Sequence, residues 1–514
     1  MSSTFRWEEV RWSLRARSRM RRLRRLVTRR LQEEAEGTAG EIRGARGARV
    51  ALAVLVALYA SVFAYLTVRN HFGIGTTGFD IGIFDQGTWL LSRFKEPFVT
   101  VRGLHLFGDH PSFILLPLVP AYWIWPSTAV LLIAQATALA SGAIAVFLLA
   151  RDRIRSEWAA LLLALAYLVN PVVQRTNFDQ FHPDAFEIPL LLFALYFMFK
   201  RRWGLFLIFV GALLLVKEDV ALVTFALGIY VAIRYDRRVG LITSGVSLLW
   251  FVTLQAWVIP HFSQGADIEY AGRVTSQFGG FGGFFKTLFL KPWDMLQIAL
   301  GPERPWYLWQ LLAPVALVCL LAPELLLIAA GPLLSNLIST FPYQHMIQYH
   351  YSTLIVPVFV AAAVVGIGRV RHRRWRMTLI GAMVAASLVT GFMWGPLGRN
   401  RPLIADPSEP NVAAFREAVK LIPADASVAA YYAYVPQIAH REHIYEFPNP
   451  FEATNWGDFS IEGQRLPESD QVDYILYSTS MGEEEKAIAE QLMQTEFVQI
   501  YEREGTILLK RSGE

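Results

Sequence analysis

Cysteine is nearly absent from this 514-residue chain: Cys319, inside an apolar run, stands alone. A single thiol excludes an internal disulfide and a cysteine-built metal site, leaves the redox compartment open, and reads as a small packed side chain. Charge is scarce too, with 18% Asp, Glu, Lys and Arg against 54% hydrophobic residues, 15 Trp and 34 Phe among them. At a mean hydropathy of +0.34 the chain is too apolar for one soluble core of this length, so its class is a polytopic membrane protein, mainly α. Internal repeats are also lacking, which weakens the inverted-repeat expectation for a secondary transporter.

The charge that is present is unevenly placed. The +5 excess comes from an N-terminal arm, residues 1–47, where "RWSLRARSRMRRLRRLVTRR" precedes the first span. Such a stretch suits a nucleic-acid or anionic-lipid patch, or plain retention in the cytoplasm by the positive-inside rule; the second reading is preferred, and no nucleic-acid partner is expected. The basic region is too long for a cleavable signal peptide, and no small-residue cleavage site follows it.

With that arm cytoplasmic, the first span, 50–68, leads outward and delivers "GTTGFDIGIFDQGTWLLSRFKEPF", residues 75–98, to the extracytoplasmic side. The next strong span, 127–150, ends in the basic "RDRIR", so "FILLPLVPAYWIW" at 113–125 should lie along the interface instead of crossing. Shorter runs follow at 158–169, 188–199, 203–216 and 220–233. They are separated by basic clusters ("KRR", "RYDRR") on one side and polar ones ("NPVVQRTNFDQFHPDAFE", "KED") on the other. Spans at 240–259, in two runs between 306 and 338 turning at Pro323, up to 367 and up to 394 complete a bundle of about eleven, occupying 48–396. Its outer loops are 69–126, 170–187, 260–305 and 341–351, and the C-terminus is extracytoplasmic.

A helix needs roughly twenty apolar residues to cross the hydrocarbon. The short runs have fewer, so their polar ends dip to a depth where charge is tolerated only if it is buried in protein or lines a wet cavity. Arg175, Asp179, His182, Asp184, Lys217, Glu218 and Asp219 would surround an outward-opening vestibule beneath Asp80.

Beyond Trp394 short β-like runs (427–432, 472–477, 497–501, 506–510) alternate with helical patterns (412–420, 483–493), predicting a small extracytoplasmic α/β domain over 397–514. It has no GxGxxG loop, zinc spacing or nucleophile signature, so its expected work is to cover or shape the membrane site.

Asp80 and Asp85 are five residues apart and would face different sides of one helix. Capping of a helix that begins near Ile81 explains Asp80 structurally; beside a cavity the same carboxylate acts as general base toward a hydroxyl. His110 in "HLFGDHPSF" opens an interfacial helix or lines the site. "VKED" is either an exposed charged turn or a cluster in which Lys217 meets a phosphate or carboxylate while Glu218 or Asp219 orients it. "FDQFHPD" mixes Asp179, His182 and Asp184 as a divalent-cation site does, without firm ligand spacing. In "QYHY", Gln348 and His350 line the pocket or belong to an aromatic belt at the interface.

"FDIGIFDQGTW", "FHPD", "VKED" and "QYHY", with the trailing α/β segment, resemble a family of bacterial and archaeal polytopic membrane proteins known as a domain of unknown function and grouped with the GT-C glycosyltransferases. The resemblance covers nearly all the chain after the basic arm. The layout is also similar to that of protein mannosyltransferases and of the aminoarabinose transferases of lipid A. There an acid in the first outer loop serves as base, a position that Asp80 matches; His110 matches the start of a His-Pro stretch and Lys217 a lysine near the end of a later span. This chain has "FDIGIF" in place of an Asp-Glu pair and "HPSF" in place of His-Pro-Pro-Leu, so neither donor nor acceptor carries over.

The resemblance implies an inverting sugar transfer from a polyprenyl-phosphate donor to a lipid, glycan or protein acceptor on the outer face. Asp80, with or without Asp85, would be the base, and Arg175 and Lys217 would offset charge on the leaving phosphate. A flippase or small-solute transporter, and a non-catalytic scaffold, are the competing classes.

Overall fold

The computed structural model describes residues 45–264, 266, 272–457 and 459–513; the basic arm up to residue 44 lies outside them. Five helices are long and apolar enough to cross a membrane: Ala45–Phe72, Ala129–Ile154, Arg237–Ser263, His350–Arg369 and Arg373–Trp394. A sixth candidate is a pair, Glu157–Leu168 and Pro171–Phe178, bent by 45° at its junction. The bend has a local cause. Pro171 has no N–H to continue the first helix, while the Asn170 side chain accepts the Val172 N–H at 3.0 Å and starts a second.

Helix Ala129–Ile154 is the axis of the bundle. Its buried alanines, Ala136, Ala140, Ala143 and Ala145, let Glu157–Leu168, Glu187–Phe199 and His350–Arg369 approach closely. The runs expected to be short are short: Trp203–Leu214 and Val220–Arg234 stop at "KED". The 306–338 region, expected as two spans, is instead helix Arg304–Leu312, a series of tight turns, Pro323–Leu326 and Ala330–Ile338. Pro314, Pro323 and Pro332, with left-handed Ala316 and Leu317, repeatedly break the ladder. As expected, 113–125 forms no span; it is a tight helical turn, Phe113–Leu118, followed by Val119–Ile124.

The basic turns meet at one end of the bundle. Lys200 pairs with Asp152 at 2.9 Å, Arg153 lies 4.3 Å over the Phe199 ring, and Arg369 pairs with Glu324. The polar turns meet elsewhere: Lys217 pairs with Asp184, and Gln180 bonds the first-loop turn at Thr77, which in turn bonds the C-terminal α/β domain.

That domain carries β3 (Val428–Ala430), β4 (Ile444–Glu446), β5 (Tyr474–Ser478), β6 (Phe497–Arg503) and β7 (Thr506–Arg511) in the order β4-β3-β5-β7-β6. β3 is parallel to β4 and β5, and the β6–β7 hairpin adds antiparallel to β5. Helices Pro410–Val419 and Glu483–Thr495 pack on the sheet. A small hairpin in the first loop, β1 (Phe98–Val99) with β2 (Leu104–His105), joins the two parts. Next to β1, the Thr100 hydroxyl donates to the Ile444 carbonyl at 2.7 Å. Gln86 donates to the carbonyls of Arg441 and Glu442, each at 3.2 Å, and Lys95 pairs with Glu442.

Candidate functional site

The stretch after the first helix does not start as a capped helix. Residues Gly78–Gly82 form a wide turn in which Asp80 has φ 74° and ψ −97°, and helix Ile83–Ser92 then begins without a side-chain cap. The Asp80 carboxylate, 36% exposed, instead faces His182, with Oδ1 3.3 Å from Nε2. The structure thus gives Asp80 a partner from a segment about a hundred residues away rather than a capping role.

His182 is fixed from behind. Its Nδ1–H donates to the Asp179 carbonyl at 2.6 Å, and its ring stacks on His350 with centroids 3.8 Å apart. The Asp179 carboxylate in turn accepts the His350 N–H at 2.7 Å and the His350 Nδ1–H at 2.9 Å. "FDQFHPD" and "QYHY" are therefore one network, and it ends on Asp80. Burial disfavours charge on His182, but the Asp80 and Asp179 carboxylates outweigh it and raise the imidazole to about 9. Burial likewise opposes ionisation of Asp80, and the His182 charge holds its carboxyl below the usual range. At neutral pH this is an ion pair at the mouth of the site.

Asp179, His182 and His350 also offer ligand atoms within 4.8 Å of one another, the donor set of a divalent cation site. The same atoms are already engaged: Asp179 holds His350, and His182 faces Asp80.

Next to this network is a small cleft of about 80 Å³, lined among others by Asp184, Glu187, Lys217, Asp219, Asn336 and Tyr351. Lys217 Nζ lies 3.2 Å from Asp184 Oδ1. Glu187, fully buried, accepts the Thr353 hydroxyl at 2.6 Å through Oε2, while Oε1 has no hydrogen-bond partner among the described residues. His110 Nδ1 lies 2.9 Å from Glu218 Oε1, closing the "VKED" turn against the interfacial segment. The turn is thus an integrated part of the wall.

Several expected residues stand apart. Arg175 reaches the main chain where the last long helix ends, donating to the Trp394 carbonyl at 2.8 Å and the Asn400 carbonyl at 3.0 Å. It is not among the residues lining the Lys217 cleft. Gln348 is exposed. Asp85, with 0% exposure, is enclosed by the Tyr122 hydroxyl at 2.6 Å, the Thr128 hydroxyl at 2.7 Å and His440 Nε2 at 3.2 Å. It ties the first loop, the interfacial helix and the α/β domain together. Burial opposes its charge; His440 and the two hydroxyls overcome that and lower its carboxyl.

Glu187, Gln180 and Glu446 were not singled out from the sequence. Glu187 closes the polar cluster that holds Asp184, which was a usable signal; nothing local marks Glu446, brought to the Asp80 turn only by the sheet.

The chain matches no curated protein sequence. Among solved structures, the fold resembles that of ArnT from Cupriavidus metallidurans bound to undecaprenyl phosphate, with a TM-score of 0.52 and 13% identity over 90% of this chain and 98% of that one. The same protein in the apo state matches with a TM-score of 0.52, 13% identity and 89% and 97% coverage. The architecture is therefore GT-C-like: a multi-pass helical membrane bundle with a small C-terminal sheet region. Residues 70–508 match the family model described as "Predicted membrane protein (DUF2079)", and the chain belongs to that family.

Proposed function

We propose that this protein is a membrane glycosyltransferase that moves a sugar from a polyprenyl-phosphate carrier to an acceptor hydroxyl on the extracytoplasmic face, with the N-terminus cytoplasmic and the C-terminal domain outside. One observation carries the reading: Asp80, in a turn no ordinary residue adopts freely, directs its carboxylate to a buried histidine network beside a cleft that holds Lys217. Strained backbone of this kind persists where the surroundings over-determine it, and such places cluster at functional sites. A fold shared with a protein crystallised with undecaprenyl phosphate supports a lipid-linked donor.

In this reading the acceptor O–H attacks the anomeric carbon as its bond to the phosphate oxygen breaks. The proton passes to Asp80, and polyprenyl phosphate leaves with the electron pair of that bond. His182 keeps Asp80 ionised and oriented. Lys217, whose charge Asp184 offsets in the resting site, meets the leaving phosphate by exchanging one oxygen partner for another. Asp85 and Arg175 hold the frame.

Transport is the weaker reading, because the path to the basic end is filled. Leu139, Ala143, Val146, Leu191, Leu195, Val358 and Ala362 are all buried in one continuous apolar cluster. The test is to incubate the purified protein in lipid with a panel of polyprenyl-phosphate sugars and a membrane extract, and to follow products by mass spectrometry. Glycosylated acceptor together with free polyprenyl phosphate is expected; every donor left intact would refute the reading.

A further inference from the structure

The backbone of Asp80, at φ 74° and ψ −97°, lies where a residue with a Cβ is strained and stays only when its surroundings hold it. Two sets of hydrogen bonds hold the three residues before it. From the membrane part, the Gln180 side chain accepts the Thr77 N–H at 2.9 Å and donates to the Thr77 hydroxyl at 2.8 Å. From the α/β domain, the Tyr432 carbonyl accepts the Gly78 N–H at 2.7 Å, and Glu446 Oε2 accepts the Phe79 N–H at 3.0 Å. Glu446 ends β4, the edge strand of the sheet, and so reaches beyond it. The approach is tight: a Cβ on Gly78 would stand 2.3 Å from Glu446 Oε2 and 3.0 Å from Val435 Cβ, so no other residue fits there unshifted.

We propose that Glu446 is a positioning residue for Asp80: by accepting the Phe79 N–H, the C-terminal domain sets the turn that aims the Asp80 carboxylate at His182. The domain is then part of the site and not only its cover. The turn is also held from within, where the Thr77 hydroxyl donates to the Phe79 carbonyl at 3.0 Å and the Ile83 N–H to the Asp80 carbonyl, but the Phe79 N–H is the bond that the C-terminal domain makes nearest to Asp80. A carboxylate of the C-terminal domain thus grips the residue next to the one that faces His182. Among the described residues Glu446 pairs with no cation; burial first, then the nearby Asp80 charge, raises it to about 7 against the pull of the Phe79 N–H. The bond needs an acceptor oxygen rather than a negative charge, which predicts that an amide serves as well.

The structural claim stands without the transfer reading; its catalytic consequence rests on that reading. The experiment compares full-length wild type, Glu446→Ala and Glu446→Gln in lipid nanodiscs. Hydrogen exchange is followed in a peptide covering 75–85 and, as a folding reference, in peptides covering 474–478 and 506–511; transfer kinetics are measured in parallel. Glu446→Ala should speed exchange at 75–85 several-fold, leave the reference peptides unchanged, and lower kcat by about 100-fold with little change in KM for the donor. Glu446→Gln should restore both. Unchanged exchange at 75–85 in Glu446→Ala, loosening of all three peptides together, or a Gln variant as impaired as Ala would each overturn the proposal. A wild type with no transfer activity would refute the function proposed above while the exchange contrast still decides the role of Glu446.

Discussion

Asp80 and Asp85 sit five residues apart in one loop and have opposite surroundings. Asp80 is partly exposed, in a strained turn, and faces one buried histidine. Asp85 is wholly enclosed on a regular helix and surrounded by two hydroxyls and His440. A carboxylate that is wholly enclosed and already accepts from three partners is out of a substrate's reach and works as a rivet. One that is partly exposed and faces a single histidine keeps an oxygen free for a substrate. The contrast separates structural from reactive acids by hydrogen-bond accounting, where sequence spacing makes them look alike.

The largest effect that would break this comparison is at Asp80. Asp80→Asn should cut transfer by about 10²–10⁴-fold with the protein still folded. Asp80→Gly and Asp80→Ala should be equally inactive, and the glycine variant should melt at the higher temperature of the two, because both lose the His182 pair while glycine alone removes the φ penalty. A glycine variant that melts no higher than Asp80→Ala would show that the turn is not strained.

Asp85→Ala should do the reverse. It leaves the Tyr122 and Thr128 hydroxyls and His440 without their shared acceptor, at a cost of about 3 kcal/mol, read as a fall in the denaturation midpoint in detergent. Remaining folded protein should turn over normally.

A smaller effect follows from pH. Burial opposes the His440 charge, but the Asp85 carboxylate raises its pKa above the usual 6.5, so its stabilisation is complete below that pH and fades as pH rises through the folded value. Asp85, held below 3.8, contributes above that pH and loses its contribution only as pH falls through its folded value. The junction between domains should therefore be tightest between pH 3.8 and 6.5 and loosen above it. Hydrogen exchange near residues 85–93 against pH measures this, and His440→Gln should flatten the profile; Arg93 and His71 also face the pair. The smallest effect is expected at the basic end, where Arg155→Gln should leave turnover and stability within about 0.5 kcal/mol of wild type, because it lines a cleft remote from Asp80.

Much of this was legible in the sequence, for identifiable reasons. Span positions follow from local hydropathy, and the helices that stop short at "KED" announce polar ends at membrane depth. Asp179, His182, Asp184, Lys217 and His350 were readable as site material because charge inside an apolar chain is costly unless it is used. Arg175 was misplaced by the same logic: the rule says that a half-buried cation has a partner, without saying that main-chain carbonyls of Trp394 and Asn400 supply it. The broken 304–338 region escaped because its apolar run hides three prolines' effect on the ladder. β4 is three residues long, too short for a period to show, and with it went Glu446.

The most direct test of the account is the initial transfer rate of wild type, Asp80→Asn and Asp85→Asn, each confirmed folded, at saturating donor. The account predicts that Asp80→Asn is inactive while Asp85→Asn keeps most of the wild-type rate at a temperature it tolerates. An active Asp80→Asn, or equal losses from both substitutions, would contradict it.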